Sequence, residues 1–373
     1  MEMKKRICIY IVYDKQNIIG AYIEYALKKL RRCCDYILVV CNSENIWEGA
    51  DIRLYAERVI FRNNKGFDAG GYKDALCYSI GWEELKKYDE LVLLNDSFYG
   101  PFGDMESIFK KMSAWACDFW GFSRSHAGTM AGQTYGEHIQ SYFLVFKKNV
   151  IDSAAFQDYW ERLEYPETMN MAIHDFELGI NYCLKENGFR DGAVSDIYGS
   201  APFFRDDENP YLKYPLELIR DFNVPILKHK ALFFGNRGYA NALTAYRFIE
   251  ENNLYPILYI KEHMLRKSKF EEGMIDYERM ETFYKNHSRV FIYGHGTYGK
   301  NVALYFMYRG WDLAGFLVTQ NAENDDAVTL FEQADIGESD GIIVAVGTRE
   351  MCREISVYLG NKCKGEQLLL PNW

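Results

Sequence analysis

Two segments decide the fold, RNNKGFDAGGYKDA at Arg62–Ala75 and YDELVLLNDSFYGP at Tyr88–Pro101. The first is a polar, glycine-containing loop that opens a helix, so its backbone N–H groups can closely approach a phosphate. The second is a buried strand that ends in the polar run Asn95–Ser97. Open α/β sheets bind ligands at the carboxyl ends of their strands. Together the two segments predict an α/β fold with a nucleotide site.

Short β-branched and aromatic runs around these segments predict further buried strands, because they do not alternate with polar residues. Stretches with apolar residues at helical spacing separate several of the runs, which predicts a parallel sheet with right-handed crossovers. The predicted strands are Arg6–Val12, Tyr36–Cys41, Arg58–Arg62, Asp118–Phe122 and Tyr142–Phe146; the predicted helices are Asn17–Arg31, Ala69–Leu85, Asp104–Trp115, Ser153–Leu163 and Met171–Asn187. A segment rich in Pro, Asn and Asp, Gly199–Pro225, predicts loops.

A second αβ pattern begins near Ser288. It contains predicted strands at RVFIYG and LAGFLV, a helix at Lys300–Arg309, a strand at Gly341–Val346 and a helix at Arg349–Leu359. We therefore predict a small Rossmann-like α/β domain over residues 288–373. A helical or irregular connection over 236–287, including the polar stretch Glu271–Lys285, joins it to an α/β domain over 1–235.

Composition restricts the class of protein. The 373 residues are 48% hydrophobic and 26% charged, as in soluble globular proteins. The formal net charge of -10 disfavours a nucleic acid partner. No run of about 18 apolar residues predicts a membrane span, and no cleavage site predicts a signal peptide. The nine scattered cysteines lack CxxC spacing. We therefore expect a cytoplasmic protein.

A glycine motif lies in the second pattern. GHGTYG places Gly294, Gly296 and Gly299 between a predicted strand and a predicted helix, the context of a dinucleotide fingerprint. The next predicted strand ends in Val318–Gln320, which lacks the acidic residue that binds a ribose in NAD sites. NAD is therefore disfavoured, while a bound nucleotide, a regulatory role and a structural role stay open.

Five segments, in this order, resemble the rhamnan synthesis protein F family of bacterial polysaccharide glycosyltransferases. They are NKGFDAGGYKDAL, LVLLNDSFYGP, DFWGFS, HIQSYFLVF and VPILKHKALF, within residues 5–235. The resemblance implies a GT-A-like domain, with a mixed, mostly parallel sheet and flanking helices. It also implies transfer of rhamnose from dTDP-rhamnose, a nucleotide-sugar donor, to a growing cell-surface glycan. The acceptor would be a glycan or lipid-linked glycan, and the basic residues Lys28, Lys29, Arg31 and Arg32 could contact a membrane surface.

The resemblance also implies a donor site. In GT-A enzymes a glycine-containing loop precedes an acidic motif that holds a divalent metal on the diphosphate, and Asn64–Gly66 and Asn95–Ser97 match these positions. The second match has one carboxylate where the usual motif has two, so dependence on Mn²⁺ or Mg²⁺ stays open, as does a simple turn role for Asp96. The predicted donor contacts are Asn64, Gly66, Asp68, Gly70, Gly71, Asn95, Asp96, Ser97 and Lys228; Asp96 and His229 are predicted metal ligands, with Asp68 and Asp74 in reserve.

An inverting transfer needs a general base for the acceptor hydroxyl. His174, Asp175 and Glu177 lie together in a predicted helix, and only one of the two acids can face the sheet edge. Equally, acids in a first helical turn can simply complement the helix dipole. His138 is the next candidate base, and it could instead orient sugar hydroxyls together with Gln140.

Two other classes of function stay open. An NAD(P)-dependent sugar oxidoreductase or epimerase would use the glycines of the C-terminal motif, but only roughly 85 residues follow Ser288, fewer than a full cofactor domain needs. A non-catalytic scaffold of a polysaccharide assembly complex would need no chemistry at Asn95–Ser97.

Overall fold

The computed structural model describes residues 4–44, 47–130, 133–195, 209–233, 239–267, 277–320 and 328–372. The chain divides into two compact units. Unit 1 comprises Met1–Pro210 and Glu217–Leu227, and unit 2 comprises Tyr211–Leu216 and Lys228–Trp373. The domain boundaries predicted at residues 235 and 287 remain predictions.

A mixed, mostly parallel sheet forms the centre of unit 1. Its strands are β1 (Arg6–Val12), β2 (Tyr36–Cys41), β3 (Arg58–Phe61), β4 (Glu90–Asn95), β5 (Phe119–Ser125), β6 (His138–Ile139), β7 (Phe143–Lys147) and β8 (Asp191–Ser195). Among the described residues the strand order is β6-β5-β7-β4-β1-β2-β3, with β8 paired to β5. Strand β7 runs antiparallel to both neighbours, and β6 runs antiparallel to β5. The other pairings are parallel.

Strands β1 and β2 have the bounds that their sequences predict. Both are central, with helices on the sheet faces, and every residue from Ile7 to Val12 is buried. Continuous apolar runs suit this position, since a parallel strand covered on both faces has no solvent-facing side.

Helices flank this sheet. They are α1 (Ala21–Leu30), α2 (Phe67–Lys73), α3 (Trp82–Leu85), α4 (Met105–Ala114), α5 (Lys148–Ile151), α6 (Ala154–Arg162), α7 (Met169–Ala172) and α8 (Gly179–Glu186). π-helical segments at Asp74–Ile80 and Ile173–Leu178 follow α2 and α7. Ser153 starts α6, since its hydroxyl accepts the Phe156 N–H at 3.2 Å.

Three of the predicted helices differ from the structure. The helix predicted over Ala69–Leu85 changes to π-helical hydrogen bonding and is broken at Gly81, whose φ is +78°. The helix predicted over Met171–Asn187 also contains a π-helical segment. The helix predicted from Asn17 begins only at Ala21, because Asn17 has a left-handed φ of 55° and Ile18–Ile19 pairs with Glu48–Gly49.

The predicted loop over Gly199–Pro225 was partly wrong. Its described part contains two short helices, α9 (Pro210–Lys213) and α10 (Pro215–Arg220). Each begins with a proline, which suits the first turn of a helix because no intrahelical partner is needed for its nitrogen. Residues 199–208 lie outside the described residues.

Unit 2 is built on an all-parallel sheet. Its strands are β9 (Val290–Tyr293), β10 (Gly315–Val318), β11 (Val328–Leu330), β12 (Gly341–Val344) and β13 (Leu368–Leu369), in the order β11-β10-β9-β12-β13 over the described residues. Its helices are α11 (His229–Phe233), α12 (Tyr239–Glu251), α13 (Ile257–Lys267), α14 (Tyr277–Lys285), α15 (Thr297–Arg309) and α16 (Arg349–Gly360).

The predicted connection between domains is helical where it is described. Helix α13 packs against α15, and its Ile260 and Met264 are fully buried. Met280 and Phe283 of α14 are also buried, so the stretch predicted to be a polar linker contributes to a core from residue 277 onward. Within the described part of the chain, no helix combines the length and apolar character that crossing a bilayer requires.

Candidate functional site

A cleft of about 430 Å³ lies at the carboxyl edge of the unit 1 sheet. Strands β1 and β4 are parallel neighbours, so the segments that follow them meet at this edge. The described residues that line the cleft are Tyr13, Lys15, Asn64, Phe67, Asp68, Ala69, Asn95, Asp96, Ser97, Ser141, Met169, Ala172, Ile173, Phe176 and Glu177. Both sequence segments that predicted a nucleotide site therefore contribute to one cavity, together with a predicted base.

The loop before α2 is held in an unusual backbone conformation. Gly66 and Phe67 have consecutive left-handed φ angles of 74° and 54°. Phe67 carries a bulky side chain, for which this region is strained. A Cβ atom on Gly70 would lie 2.2 Å from the Lys65 carbonyl oxygen, so only glycine fits there. Gly71 lies against Ile11 of β1, where an added Cβ would be 2.9 Å from a side-chain carbon.

Arg62 fixes this loop from outside the cleft. Its guanidinium donates to the Lys65 carbonyl oxygen at 2.5 Å and to the Asn42 side-chain oxygen at 2.8 Å. It also pairs with Asp74 at 2.6 Å, and the Tyr165 hydroxyl donates to the same carboxylate at 2.5 Å. Asp74, a reserve metal ligand in the sequence analysis, is thus engaged in holding the loop and is not among the residues that line the cleft.

Asn95 joins the two sequence segments. Its side-chain amide donates to Asp68 at 2.7 Å, and its side-chain oxygen accepts the Ser97 hydroxyl at 2.7 Å. Asp96 lies between Asn95 and Ser97 in the sequence, and its carboxylate accepts the Tyr13 N–H at 3.2 Å. Burial, followed by the charge of Asp68, raises the pKa of Asp96 to about 8. Two carboxylates, Asp68 and Asp96, therefore repel each other within one cleft.

Such a pair suits a divalent cation. Mg²⁺ in nucleotide sites is commonly bound through one or two carboxylates plus substrate phosphates and water. Asp68 and Asp96 supply that number of carboxylates. Among the residues that the structure describes there is no group of three or more His, Cys, Asp or Glu side chains suited to a metal, so phosphate oxygens and water would have to complete the coordination.

Glu177 lines the same cleft as these acids. Its carboxylate accepts the Ser141 N–H at 3.0 Å and also the Ser141 hydroxyl, and His138 Nε2 lies 3.4 Å from its Oε1 atom. Burial opposes ionisation, but the hydrogen bond and charge of His138, together with the two Ser141 donors, outweigh it and lower the pKa of Glu177 to about 2. Glu177 is therefore a carboxylate held in a fixed position.

The other base candidates occupy different places. Asp175 does not belong to the described lining of the cleft; its carboxylate pairs with the exposed His174 at 2.7 Å. His138 is buried and reaches the cleft only through Glu177. The Gln140 N–H donates to the Ser123 carbonyl oxygen at 3.1 Å.

The remaining predicted contacts lie in unit 2. Lys228 is the first residue of that unit after Leu227, and His229 begins α11, where its ring contacts that of His263. Gly294 directly follows β9 with a φ of 110°, and Gly296 caps α15. A Cβ on Gly299 would lie 1.9 Å from the Gly294 carbonyl oxygen, so helix and strand approach closely there. The roles predicted for these residues remain predictions.

The basic residues of α1 are largely paired. Lys28 forms a 2.7 Å ion pair with Glu24, and Arg31 forms one of the same length with Glu57. Lys29 donates to the Gly103 carbonyl oxygen at 3.3 Å. These acids reduce the positive charge that a membrane surface would meet.

The sequence analysis missed three polar residues among those that line the cleft. Tyr13 and Lys15 directly follow β1, and Ser141 follows β6. The strand-end argument that singled out Asn95–Ser97 applies equally to the polar run after β1, and would have found Lys15. Nothing in the local sequence distinguishes Ser141, because its role depends on the distant Glu177.

The fold and the cleft define a mixed α/β protein with a candidate ligand site at the carboxyl edge of its main sheet. The sequence model of the rhamnan synthesis protein F family matches residues 37–310, which is more than half of the chain. The chain belongs to the rhamnan synthesis protein F family. Membership of that family implies a role in polysaccharide biosynthesis.

The chain also resembles individual proteins. The chain is 25% identical over 216 residues to virulence protein VirA of Vibrio anguillarum, covering 57% of this chain and 67% of VirA. It is 24% identical over 182 residues to an uncharacterised protein of Sinorhizobium fredii, covering 46% of this chain and 43% of that protein. Among solved structures, a 4-diphosphocytidyl-2C-methyl-D-erythritol synthase aligns with 12% identity and a TM-score of 0.33, over 54% of this chain and 94% of the synthase.

Proposed function

We propose that the protein is an inverting glycosyltransferase that moves rhamnose from dTDP-rhamnose onto a growing cell-surface polysaccharide. The observation that carries the proposal is the single cleft that Asp96 and Glu177 share. The cleft offers a carboxylate pair suited to a cation and its diphosphate, and a further, fixed carboxylate suited to an acceptor hydroxyl. The choice of rhamnose rests on the family alone.

The architecture agrees with this proposal. A GT-A-like domain needs a mostly parallel sheet whose carboxyl edge carries the donor loops, and unit 1 has such a sheet with β7 antiparallel inside it. For unit 2 we propose a Rossmann-like domain, since the strand order reverses beside β9, where the Gly294–Gly299 turn leads into α15.

In the proposed reaction the bond between the anomeric carbon and the diphosphate oxygen breaks, and dTDP leaves with the bonding electrons. The acceptor hydroxyl oxygen forms the new bond to the anomeric carbon from the opposite face, and its proton passes to Glu177. The low pKa of Glu177 keeps it ionised at neutral pH, the form that a base requires, although it also makes the carboxylate a weak base. Ser141 and His138 hold the carboxylate in place.

A divalent metal, Mn²⁺ or Mg²⁺, fits the donor end of the cleft. When bound, it would neutralise the charge that develops on the leaving diphosphate. Asp68 and Asp96 are the residues that would hold it, and Asn95 keeps Asp68 in position through its 2.7 Å hydrogen bond. Lys15 lies in the same cleft and can pair with a phosphate oxygen.

We further propose that the enzyme acts at the cytoplasmic face of the membrane, where a lipid-linked acceptor would be presented. The residues available for weak surface contact are Lys28, Lys29, Arg31 and Arg32, although ion pairs with Glu24 and Glu57 reduce their charge. Binding to vesicles that contain anionic lipid, weakened by salt, would test this contact.

The test uses the purified full chain with dTDP-rhamnose, UDP-glucose and NAD⁺, each with Mn²⁺ or with a chelator. Calorimetry gives the dissociation constants, and nucleotide release with a rhamnose oligosaccharide reports transfer. We expect binding and turnover with dTDP-rhamnose. Binding of NAD⁺ alone would point to an oxidoreductase using the Gly294–Gly299 turn, and binding of none of the three would point to a scaffold.

A further inference from the structure

A second cavity of about 430 Å³ opens on the other side of Glu177 in unit 1. Its described lining comes from the segment before β6, from β6 itself, and from the π-helical segment with α8. The residues are Thr134, Tyr135, Gly136, Glu137, His138, His174, Leu178, Gly179, Asn181, Tyr182 and Lys185. Its volume falls within the range of small-ligand sites.

One wall separates this cavity from the donor cleft. Within the π-helical segment Ile173–Leu178, the residues Ile173, Phe176 and Glu177 line the cleft, whereas His174 and Leu178 line the second cavity. His138 lines the second cavity, and its Nε2 atom is 3.4 Å from the Glu177 carboxylate. His138 therefore lies between the second cavity and the proposed base, Glu177.

The lining has the chemistry of a neutral sugar site. Tyr135 and Tyr182 supply aromatic rings, and Tyr182 is 66% exposed at the cavity. Rings of this kind present an apolar face to the C–H groups of a pyranose, while polar groups nearby bind its hydroxyls. The cationic groups are already compensated, since Lys185 pairs with Asp191 at 2.8 Å and His174 pairs with Asp175 at 2.7 Å. An anionic ligand such as a phosphate would therefore gain little.

The cavity is also preformed. Asn181 is 2% exposed, and its side chain accepts the Ile139 N–H at 2.8 Å and donates to the Ile139 carbonyl oxygen at 2.9 Å. The same amide donates to the Glu177 carbonyl oxygen at 2.8 Å. These bonds tie α8 and the π-helical segment to β6, so a ligand need not order the walls on binding.

We propose that the second cavity binds a neutral sugar residue of the acceptor glycan other than the one that reacts, stacked on Tyr182 and Tyr135 beside His138. The term acceptor rests on the proposed glycosyltransferase function. The binding of a neutral sugar rests on the lining alone.

The test compares the full-length protein with Tyr182→Ala and with a matched control, Tyr78→Ala. Tyr78 is 72% exposed, lies in the other π-helical segment and lines neither cavity, so both substitutions remove an exposed tyrosine. Saturation-transfer NMR and titration with a rhamnose trisaccharide measure sugar binding, and calorimetry with dTDP measures donor-site binding. We expect Tyr182→Ala to weaken trisaccharide binding at least about 10-fold, with dTDP binding unchanged in all three proteins.

The outcomes separate this inference from the proposed function. Equal trisaccharide binding by the Tyr182→Ala and unchanged proteins would overturn the sugar site, and so would a lack of binding by the unchanged protein. Trisaccharide binding that depends on Tyr182, without any transfer from dTDP-rhamnose, would retain the sugar site and overturn only the glycosyltransferase.

Discussion

The side-chain amide of Asn95 donates a 2.7 Å hydrogen bond to the carboxylate of Asp68, across 27 residues of sequence. Asp68 lies in the first turn of α2 and Asn95 ends β4, so this bond couples the loop that would face the donor phosphates to the strand end beside it. Any cation held by Asp68 therefore depends on an uncharged neighbour.

A double-mutant cycle on Asn95→Ala and Asp68→Ala measures that coupling. Hydrogen bonds to charged groups contribute about 1.5–3 kcal/mol, so we expect a coupling free energy of unfolding of about 1–2 kcal/mol, after an allowance for partial exposure. Urea unfolding of the four proteins gives the value. Effects that add within about 0.5 kcal/mol would show that the two segments act independently.

Asp96→Asn should lower turnover at least about 10²-fold, because it removes a carboxyl group that would bind the cation at the leaving diphosphate. The fold should persist, since the side chain lies at the cleft and an amide can still accept the Tyr13 N–H. Steady-state nucleotide release measures the effect. Asp152→Asn is the control, because this exposed acid pairs with Lys148 on the surface and does not belong to the described lining of the cleft. Equal turnover in the two variants would remove Asp96 from the site.

Glu177→Gln should destabilise the protein in a pH-dependent way. The pKa of Glu177 is about 2 in the folded chain, below the ordinary glutamate value, so its ionised form stabilises the fold above about pH 4.5. That contribution is lost as the pH falls through about 2. We expect the variant to lose up to about 3 kcal/mol at pH 7, and the difference from the unchanged protein to shrink below pH 4.5.

Unfolding of both proteins from pH 7 down to pH 3 tests this expectation. Glu83→Gln is the control, because Glu83 has a 91% exposed side chain and pairs with the neighbouring Lys86. A stability loss in Glu177→Gln that stays constant over this range would mean that packing, and not the charge, accounts for the effect.

Gly70→Ala should disrupt the loop before α2 that contains Gly66 and Phe67. The added Cβ would meet the Lys65 carbonyl oxygen at 2.2 Å and the Tyr165 ring at 2.9 Å, so the loop and Arg62 must shift. We expect a loss of about 2–4 kcal/mol in stability, with weaker dTDP binding. At Gly360 a Cβ would meet nothing within 4 Å, so Gly360→Ala should have little effect. Similar melting temperatures for the two variants would mean that the loop relaxes easily.

The sheet of unit 1 was largely predictable. Apolar runs without polar interruption, such as residues 7–12, predict a central strand. The polar residues at the end of β4 mark the carboxyl edge of the sheet. The helix at Ala69–Leu85 was less predictable, because apolar spacing of three to four residues does not distinguish α-helical from π-helical hydrogen bonding.

The residues of the candidate site were predictable where their roles depend on the sequence immediately around them. Asn64, Asp68 and Asn95–Ser97 follow from loop and strand-end chemistry, and they do share one cleft. The choice between Asp175 and Glu177 was not predictable. The directions in which their side chains leave the helix depend on the number of residues per turn, and the sequence does not show that this segment is π-helical. The role of Ser141 depends on a partner 36 residues away.

The π-helical segment Ile173–Leu178 supplies residues to both cavities from one stretch of chain. A residue in an α-helix turns the chain by about 100°, and a residue in a π-helix turns it by less, so the wider turn holds one extra residue while α8 keeps its direction. Deleting one residue here should therefore restore an ordinary helix and leave Asn181 opposite Ile139. A substitution at His174 or Ile173 alters one cavity at a time, whereas loss of the extra residue would change the wall that both cavities share. One deletion at this point should therefore alter both binding sites without unfolding the helices on either side of it.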